Sequence, residues 1–393
     1  MRHNAIMVCK KKLGSADTML PVFLTIKQRY PDTRFWILFP TQETLELNRL
    51  NHELWAGIQS LSPTVVVTRG GNTLRTIGIL LRLLAAFAFS GNVFFKITDA
   101  IPAHRKFIAA LRLVSRTIEV KCFNLSLWPL EGVRNIIAEY ELVHARKGKQ
   151  VDQNPLIGVY DSFFSTAAAE DFQSMLGVAV DRARYVQTGH PRRLPAWRQF
   201  LERTAAANPV VNGPRYCLFI MASLAMRSAL NEPSGLELFR DAVEVLARHQ
   251  DEVRIILKPH ATTDVALLHT VMQECGVSNY SVEFAHAMVL SVKAEFVIGY
   301  HYSTTMIDAY FLGKPVIEYC GTDPESMKLF AGSTSISGGC HDYYIHRDKS
   351  RLAEVVAGLL NGTLSPARDQ EFMERSFPQA PDTFLKTLDR MFG

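Results

Sequence analysis

Apolar positions along this 393-residue chain gather into short continuous runs, separated by longer stretches with helical spacing. In the first half, "AIMVC", "RFWILFP", "TVVVT" and "NVFFKI" read as buried strands. Between them, "GSADTMLPVFLTIKQRYP" reads as a loop and helix, residues 74–90 as a helix, and residues 103–116 as another. Further on, "LIGVYDSFFSTAAAEDFQSMLG" reads as strand, loop and helix, and "ARYVQTGHPRRLPAWRQFLE" as a last strand and a loop. Strands without polar alternation need cover on both faces. Intervening helices supply that cover, so the pattern predicts a parallel α/β sheet.

After "TAAANPVVNGP", which has the composition of a linker, the alternation restarts. "RYCLFIM", "VRIILKPH", "AEFVIGY" and "PVIEY" are predicted strands; "GLELFRDAVEVLARHQ", "DVALLHTVMQECG" and "RLAEVVAGLLNG" are predicted helices. The expectation is two Rossmann-like domains, residues 1–203 and 215–393, joined by 204–214, with the last helix able to return to the first domain. Ligands of such sheets bind beyond the carboxyl ends of the strands. The loops after 220, 257 and 299 are therefore expected to share one cleft, with the two domains facing across it.

Composition narrows the class. Hydrophobic residues at 48% and charged residues at 21% describe a globular protein with material for cores. A net charge of +5 suits anionic small molecules or an acidic membrane surface, and is too mild for a dedicated nucleic-acid binder. The six cysteines form no C-x-x-C pair, which argues against zinc ribbons and redox motifs and for buried free thiols in the cytoplasm. No secretory signal is predicted at the N-terminus. Residues 73–95 are almost continuously apolar but carry Arg75 and Arg82 and stop at Gly91 and Asn92. A buried or membrane-surface helix fits better than a span, and allows peripheral contact with the inner face of a membrane.

Four constellations fall at predicted strand ends. Lys258 and His260 leave a strand in "LKPH", where His260 suits a phosphate or a leaving oxygen and Lys258 neutralises charge; an ordinary turn is the alternative. In "VIGYHYSTTMIDAYFLGKPVIEY", Ser303 or Thr304 caps a short helix that Gly313 ends, and Thr305 adds a hydroxyl. A helix start attracts anions, although such caps also occur with nothing bound. "TGHPRR" offers Arg192 and Arg193 to a phosphate or to solvent. The polar loop 221–235 holds Arg227, Asn231 and Glu232, the last a candidate base or nucleophile. In the first domain, Ser15, Asp17 and Asp161, with Ser162 and Ser165, are candidates to face an acceptor. Neither a Walker A loop, a dinucleotide fingerprint, a G-x-S-x-G elbow nor an H-E-x-x-H zinc site occurs.

Taken in order, "TGHPRR", "CLFIMASLAMR", "IILKPH" and "AEFVIGYHYSTTMIDAYFLGKPVIEY" resemble the C-terminal half of GT-B glycosyltransferases of bacterial envelope synthesis. The resemblance covers roughly residues 157–325. It is to groups using cytidine-activated donors: CMP-Kdo and sialyl-type transferases, and CDP-glycerol glycerophosphotransferases. It implies that His260 and the pair Ser303 and Thr304 bind the nucleotide phosphate, with Lys258, Thr305 and Arg227 beside them and Glu318 at the ribose. It also implies a carboxylate nucleophile, for which Glu232 is positioned. No metal or resident cofactor is implied; the nucleotide-activated sugar is a substrate, and the acceptor is a glycan or lipid-linked glycan. The chain lacks a His-Gly dipeptide, which sets the CDP-polyol reading second. A UDP-sugar transferase or 2-epimerase, and a non-catalytic assembly protein, remain as alternatives.

Overall fold

The computed structural model describes residues 3–9, 14–69, 71–88, 91–97, 112–113, 118–123, 162–166, 168–176, 181–221, 235–260, 263–300, 303–321, 339–366, 368 and 370–393. The chain divides into two compact units. One comprises Met1–Leu127, Asp152–Phe200 and Phe377–Gly393, the other Trp128–Val151 and Leu201–Ser376.

The first unit is a parallel sheet of β1 (His3–Val8), β2 (Arg34–Phe39), β3 (Thr64–Val67), β4 (Gly91–Ile97), β5 (Ile118–Phe123), β6 (Ser162–Ser165) and β7 (Tyr185–Gln187). Its strand order is β3-β2-β1-β4-β5-β6-β7. Ala5, Ile6 and Met7 are fully buried, as expected of a strand covered on both faces. Helix Gly14–Arg29 lies over the sheet through Met19, Phe23 and Ile26, and the Phe23 and Phe95 rings meet edge to face at 5.1 Å. Helix Thr73–Phe87 turns Leu83 and Phe87 inward, where Phe87 meets Trp36 at 5.0 Å and Phe94 at 5.8 Å. The last helix, Asp382–Phe392, also belongs to this unit; Phe384 and Phe392 stand against Phe164 and Phe95.

Local expectations needed three corrections here. The strand β6 occupies Ser162–Ser165, a stretch read as a loop, because Phe164 between the serines is wholly buried. "LPAWRQFLE" is helical within Pro195–Ala207, with Pro195 at the first turn, where a missing N–H costs nothing, and with Trp197 wholly buried. Helices Gln42–Leu50 and His52–Ser60 were not anticipated; Thr41 and Asn51 cap them through Thr44 N and Leu54 N.

The second unit is a parallel sheet of β8 (Tyr216–Ile220), β9 (Arg254–Lys258), β10 (Tyr280–Val282), β11 (Val297–Tyr300), β12 (Val316–Cys320) and β13 (Tyr343–His346), ordered β10-β9-β8-β11-β12-β13. One face carries Phe219, Leu257, Ile298, Ile317 and Tyr319 into a core closed by helices Gly235–Ala247 and Lys349–Leu360. Cys9, Cys217, Cys320 and Cys340 are buried thiols, and burial pushes the Cys217 thiol up to about 12. The apolar stretch 73–95 resolves into a helix and strand β4. Among the described residues, no helix is long and apolar enough to cross a membrane.

One buried ion pair fastens the first unit. Arg192, in a turn of 3-10 helix at Pro191–Arg193, donates to the Asp17 carboxylate in the first turn of Gly14–Arg29, and only 2% of the arginine side chain is exposed. Burial pulls the guanidinium pKa down while Asp17 holds it up. Removing the carboxylate leaves a desolvated cation without that partner. Asp17→Ala is therefore expected to cost about 3–5 kcal/mol, read as a shift of the urea midpoint. A surface-like loss of under ~1 kcal/mol would show that the pair is dispensable.

Candidate functional site

Strands β8 and β11 are neighbours in the sheet but far apart in sequence, so the strand order reverses between them. Crevices form at such reversals, beyond the carboxyl ends of the strands. The pairing register brings one row of residues to that edge: Lys258 opposite Ile220, Ile220 opposite Gly299, Gly299 opposite Glu318, and Glu318 opposite Tyr344. Partners in a parallel ladder point to the same face. Lys258 and Glu318 thus share a face, on the order of 14 Å apart across three inter-strand steps.

Gly299 is the low point of that row. A Cβ there would stand 2.5 Å from Met306 Sδ and 3.1 Å from the Ile220 carbonyl. The missing side chain lets helix Thr304–Phe311 rest on the strand that leads into it. Ser303 caps the helix, its Oγ accepting from Thr305 N at 3.3 Å and lying 2.6 Å from Thr305 Oγ1. The helix ends as Gly313, at φ +80°, donates to Tyr310 O and Lys314 N donates to Ala309 O, both at 3.0 Å. This is a Schellman closure, at the glycine expected from sequence.

The same helix end is clamped from outside. Arg368 lies 4.1 Å over the Tyr310 ring, donates to the carbonyls of Tyr310 and Lys314, and makes two bonds to Asp342, at 3.1 and 2.8 Å. A fork-to-carboxylate pair this buried fixes geometry as well as charge. Sequence reading passed over Arg368, since nothing in "SPARDQ" marks an arginine that closes a helix more than fifty residues upstream.

At the rim, Lys258 is half-buried with Nζ 3.5 Å from the Phe284 carbonyl. Pro259 is buried and ends the ladder, and His260 is exposed beyond it, its carbonyl accepting from Thr263 N at 2.9 Å. Glu318 sits within β12 with 3% of its side chain exposed, 3.2 Å from His341 Nδ1. His341 was not anticipated either. A Gly-Gly pair before "CHDYYIH" marks a turn, but only the β12–β13 register brings that turn to Glu318.

The structure therefore gathers Lys258, His260, Ser303, Thr305 and Glu318 at the carboxyl edge of one sheet. Arg227, Asn231, Glu232, Asp161 and His301 lie outside the described residues, as do the side chains of Ser15 and Thr304. Asp17 and Arg192, each expected at a ligand, are given to one another in the first unit, and Arg193 donates to the Phe377 carbonyl. An open cavity of about 810 Å³ in the first unit is lined by Arg182, Tyr185, Gln187, Lys386 and Arg390, among others. None of the residues singled out from sequence lines it. Among the described residues, no group of three or more His, Cys, Asp or Glu could hold a metal ion.

The chain matches solved structures over nearly its whole length and theirs. The S. aureus MnaA-UDP co-structure aligns at TM-score 0.55 and 11% identity, covering 100% of this chain and 96% of that one. The UDP-GlcNAc 2-epimerase from Neisseria meningitidis bound to UDP-GlcNAc aligns at 0.51 and 13%, covering 99% and 100%. A ugt transferase from Siraitia grosvenorii in complex with UDP aligns at 0.50 and 9%, covering 100% of both chains. The fold is GT-B. No family model and no curated protein matches the sequence.

The seat of the helix on Gly299 is open to test. Gly299→Ala is expected to destabilise the protein by about 1–3 kcal/mol, the usual cost of overpacking. Met306 can swing aside but the Ile220 carbonyl cannot, so Gly299→Ala combined with Met306→Ala should recover part, not all, of the loss in thermal melts.

Proposed function

We propose that this protein is a nucleotide-sugar glycosyltransferase whose second unit holds the activated donor. The observation that carries the proposal is the convergence of Lys258, His260 and the capped helix start at Ser303 on one sheet edge where the strand order reverses. A departing nucleotide carries growing phosphate charge. A cation, an imidazole and helix N–H groups aimed at that position stabilise it without reorganising. Thr304 and Thr305 extend the same helix start, and Arg227 is assigned to the same phosphates. Glu318, oriented by His341, accepts from the ribose hydroxyls. Glu232 remains the proposed base or nucleophile, and the first unit, with Ser15 and Asp161, is assigned to a glycan or lipid-linked acceptor.

The donor base is where the comparisons shift the balance. The sequence resemblance favours CMP-sugars such as CMP-Kdo, with the CDP-polyol reading behind. The three solved structures described above are complexes with UDP or UDP-GlcNAc. That favours a UDP-linked donor over a cytidine-linked one. It also favours, as a second reading, a 2-epimerase that acts on the same donor without an acceptor.

A nucleotide panel separates these. UDP at a hundredfold excess over its Kd is expected to stabilise the protein by about 2.7 kcal/mol, visible as a raised melting temperature, with CMP and CDP weaker. The reverse order would restore the cytidine donor. No response to any nucleotide would sink the proposal and leave a non-catalytic assembly protein. Incubation with UDP-GlcNAc, followed by NMR, distinguishes inversion at C2 from transfer.

His260→Ala supplies the kinetic test. It is expected to lower kcat by roughly 10²–10³, the cost of one lost oxyanion-type donor, with the melting temperature unchanged because the side chain is exposed. Unchanged turnover would remove His260 from the site.

A further inference from the structure

Helix Thr73–Phe87 is apolar on two opposite faces, and folding uses only one of them. Leu83 and Phe87 point into the core of the first unit beside Ile6, Val8, Leu38 and Phe94. On the far side Leu74 is 82% exposed, Ile77 48% and Leu81 58%. At 3.6 residues per turn, positions 74, 77 and 81 form one stripe two turns long, with Gly78 and Ala85 filling its line. A helix needs a single apolar stripe to hold its place on a sheet. A second contiguous stripe in water opposes solubility and marks a contact surface.

Charge identifies the occupant. Arg75 and Arg82 are seven residues apart, close to two turns, so both run along one edge of the exposed stripe. Both are exposed, as is Arg69 in the turn before the helix. From Leu61 to Ile97 the chain has no acidic residue. A second copy of this face would set arginines against arginines, and a neutral apolar partner would leave them without counter-charge. An amphipathic helix with leucines at its crest and arginines at its flank matches a bilayer surface instead, leucines among the acyl chains and guanidinium groups on phosphates.

We infer that the outer face of helix Thr73–Phe87 docks this protein on a membrane surface rich in anionic lipid. Leu74, Ile77 and Leu81 enter the interface, and Arg75 and Arg82 read its charge. The contact is reversible and salt-sensitive, because one short stripe and a few cations supply it. It stands independently of the donor assigned above.

Co-sedimentation of the full chain with vesicles tests this directly. On phosphatidylcholine vesicles containing about a third phosphatidylglycerol, wild-type protein is expected to partition about tenfold or more above phosphatidylcholine alone. Leu74→Ser with Leu81→Ser should lower that binding about tenfold or more, and Arg75→Gln with Arg82→Gln should abolish the preference for the anionic lipid. All four positions are exposed, so both double variants should keep the wild-type melting temperature; if the serine variant melts early, the glutamine variant decides alone. Three outcomes overturn the inference: wild-type protein that binds neither vesicle, variants that bind as well as wild type, or a wild-type dimer that the serine variant dissolves while vesicle binding is absent.

Discussion

A parallel sheet covered on both faces leaves one place for polar chemistry, the ends of its strands. Strand interiors such as Cys217–Phe219 and Ile255–Leu257 are wholly buried, and an unpartnered polar group among them would forfeit its hydration. The groups able to meet a ligand are therefore pushed to the carboxyl edge, where Lys258, His260 and Ser303 stand. Gly299 sharpens that constraint. Its missing side chain brings the next helix down onto the sheet, so the helix start opens at the edge.

Among the described residues, three largely buried charged or ionisable pairs stand out, and they do different work. Asp17 with Arg192 joins a 3-10 turn to the first turn of a helix, and Asp342 with Arg368 holds the arginine that also bonds the carbonyls at the end of helix Thr304–Phe311. Such pairs return little net stability over an apolar contact, yet breaking one is costly. The pair of Glu318 with His341 differs in position, since it lies in the row that runs to Lys258. In the ribose role proposed for Glu318, a carboxylate already held in place would lose less freedom on binding.

Helix Thr73–Phe87 shows how one segment answers two solvents. Its inner stripe is satisfied by the aromatic cluster around Phe87, while its outer stripe of leucines remains in water. Arginines at 75 and 82 keep the segment from reading as a span, and they also give the exposed stripe its electrostatic direction.

The alternation of apolar runs and helical spacing was enough to determine two parallel α/β units, because burial on both faces forces continuous hydrophobic strands. Gly313 as the helix stop was equally legible, since a positive φ selects for glycine locally. Short or weakly apolar elements were not. The strand Ser162–Ser165 and helix Pro195–Ala207 bury Phe164 and Trp197, and Phe164 meets Phe95 and Phe384 from distant parts of the chain. Side-chain partnership was the least legible of all. Arg192 reads in sequence as a free cation and Glu318 as a lone carboxylate, while the fold gives one to Asp17 and the other to His341. Periodicity is a local property that the chain carries with it; which charge meets which is set by strand register and helix placement, and those exist only once the sheets have formed.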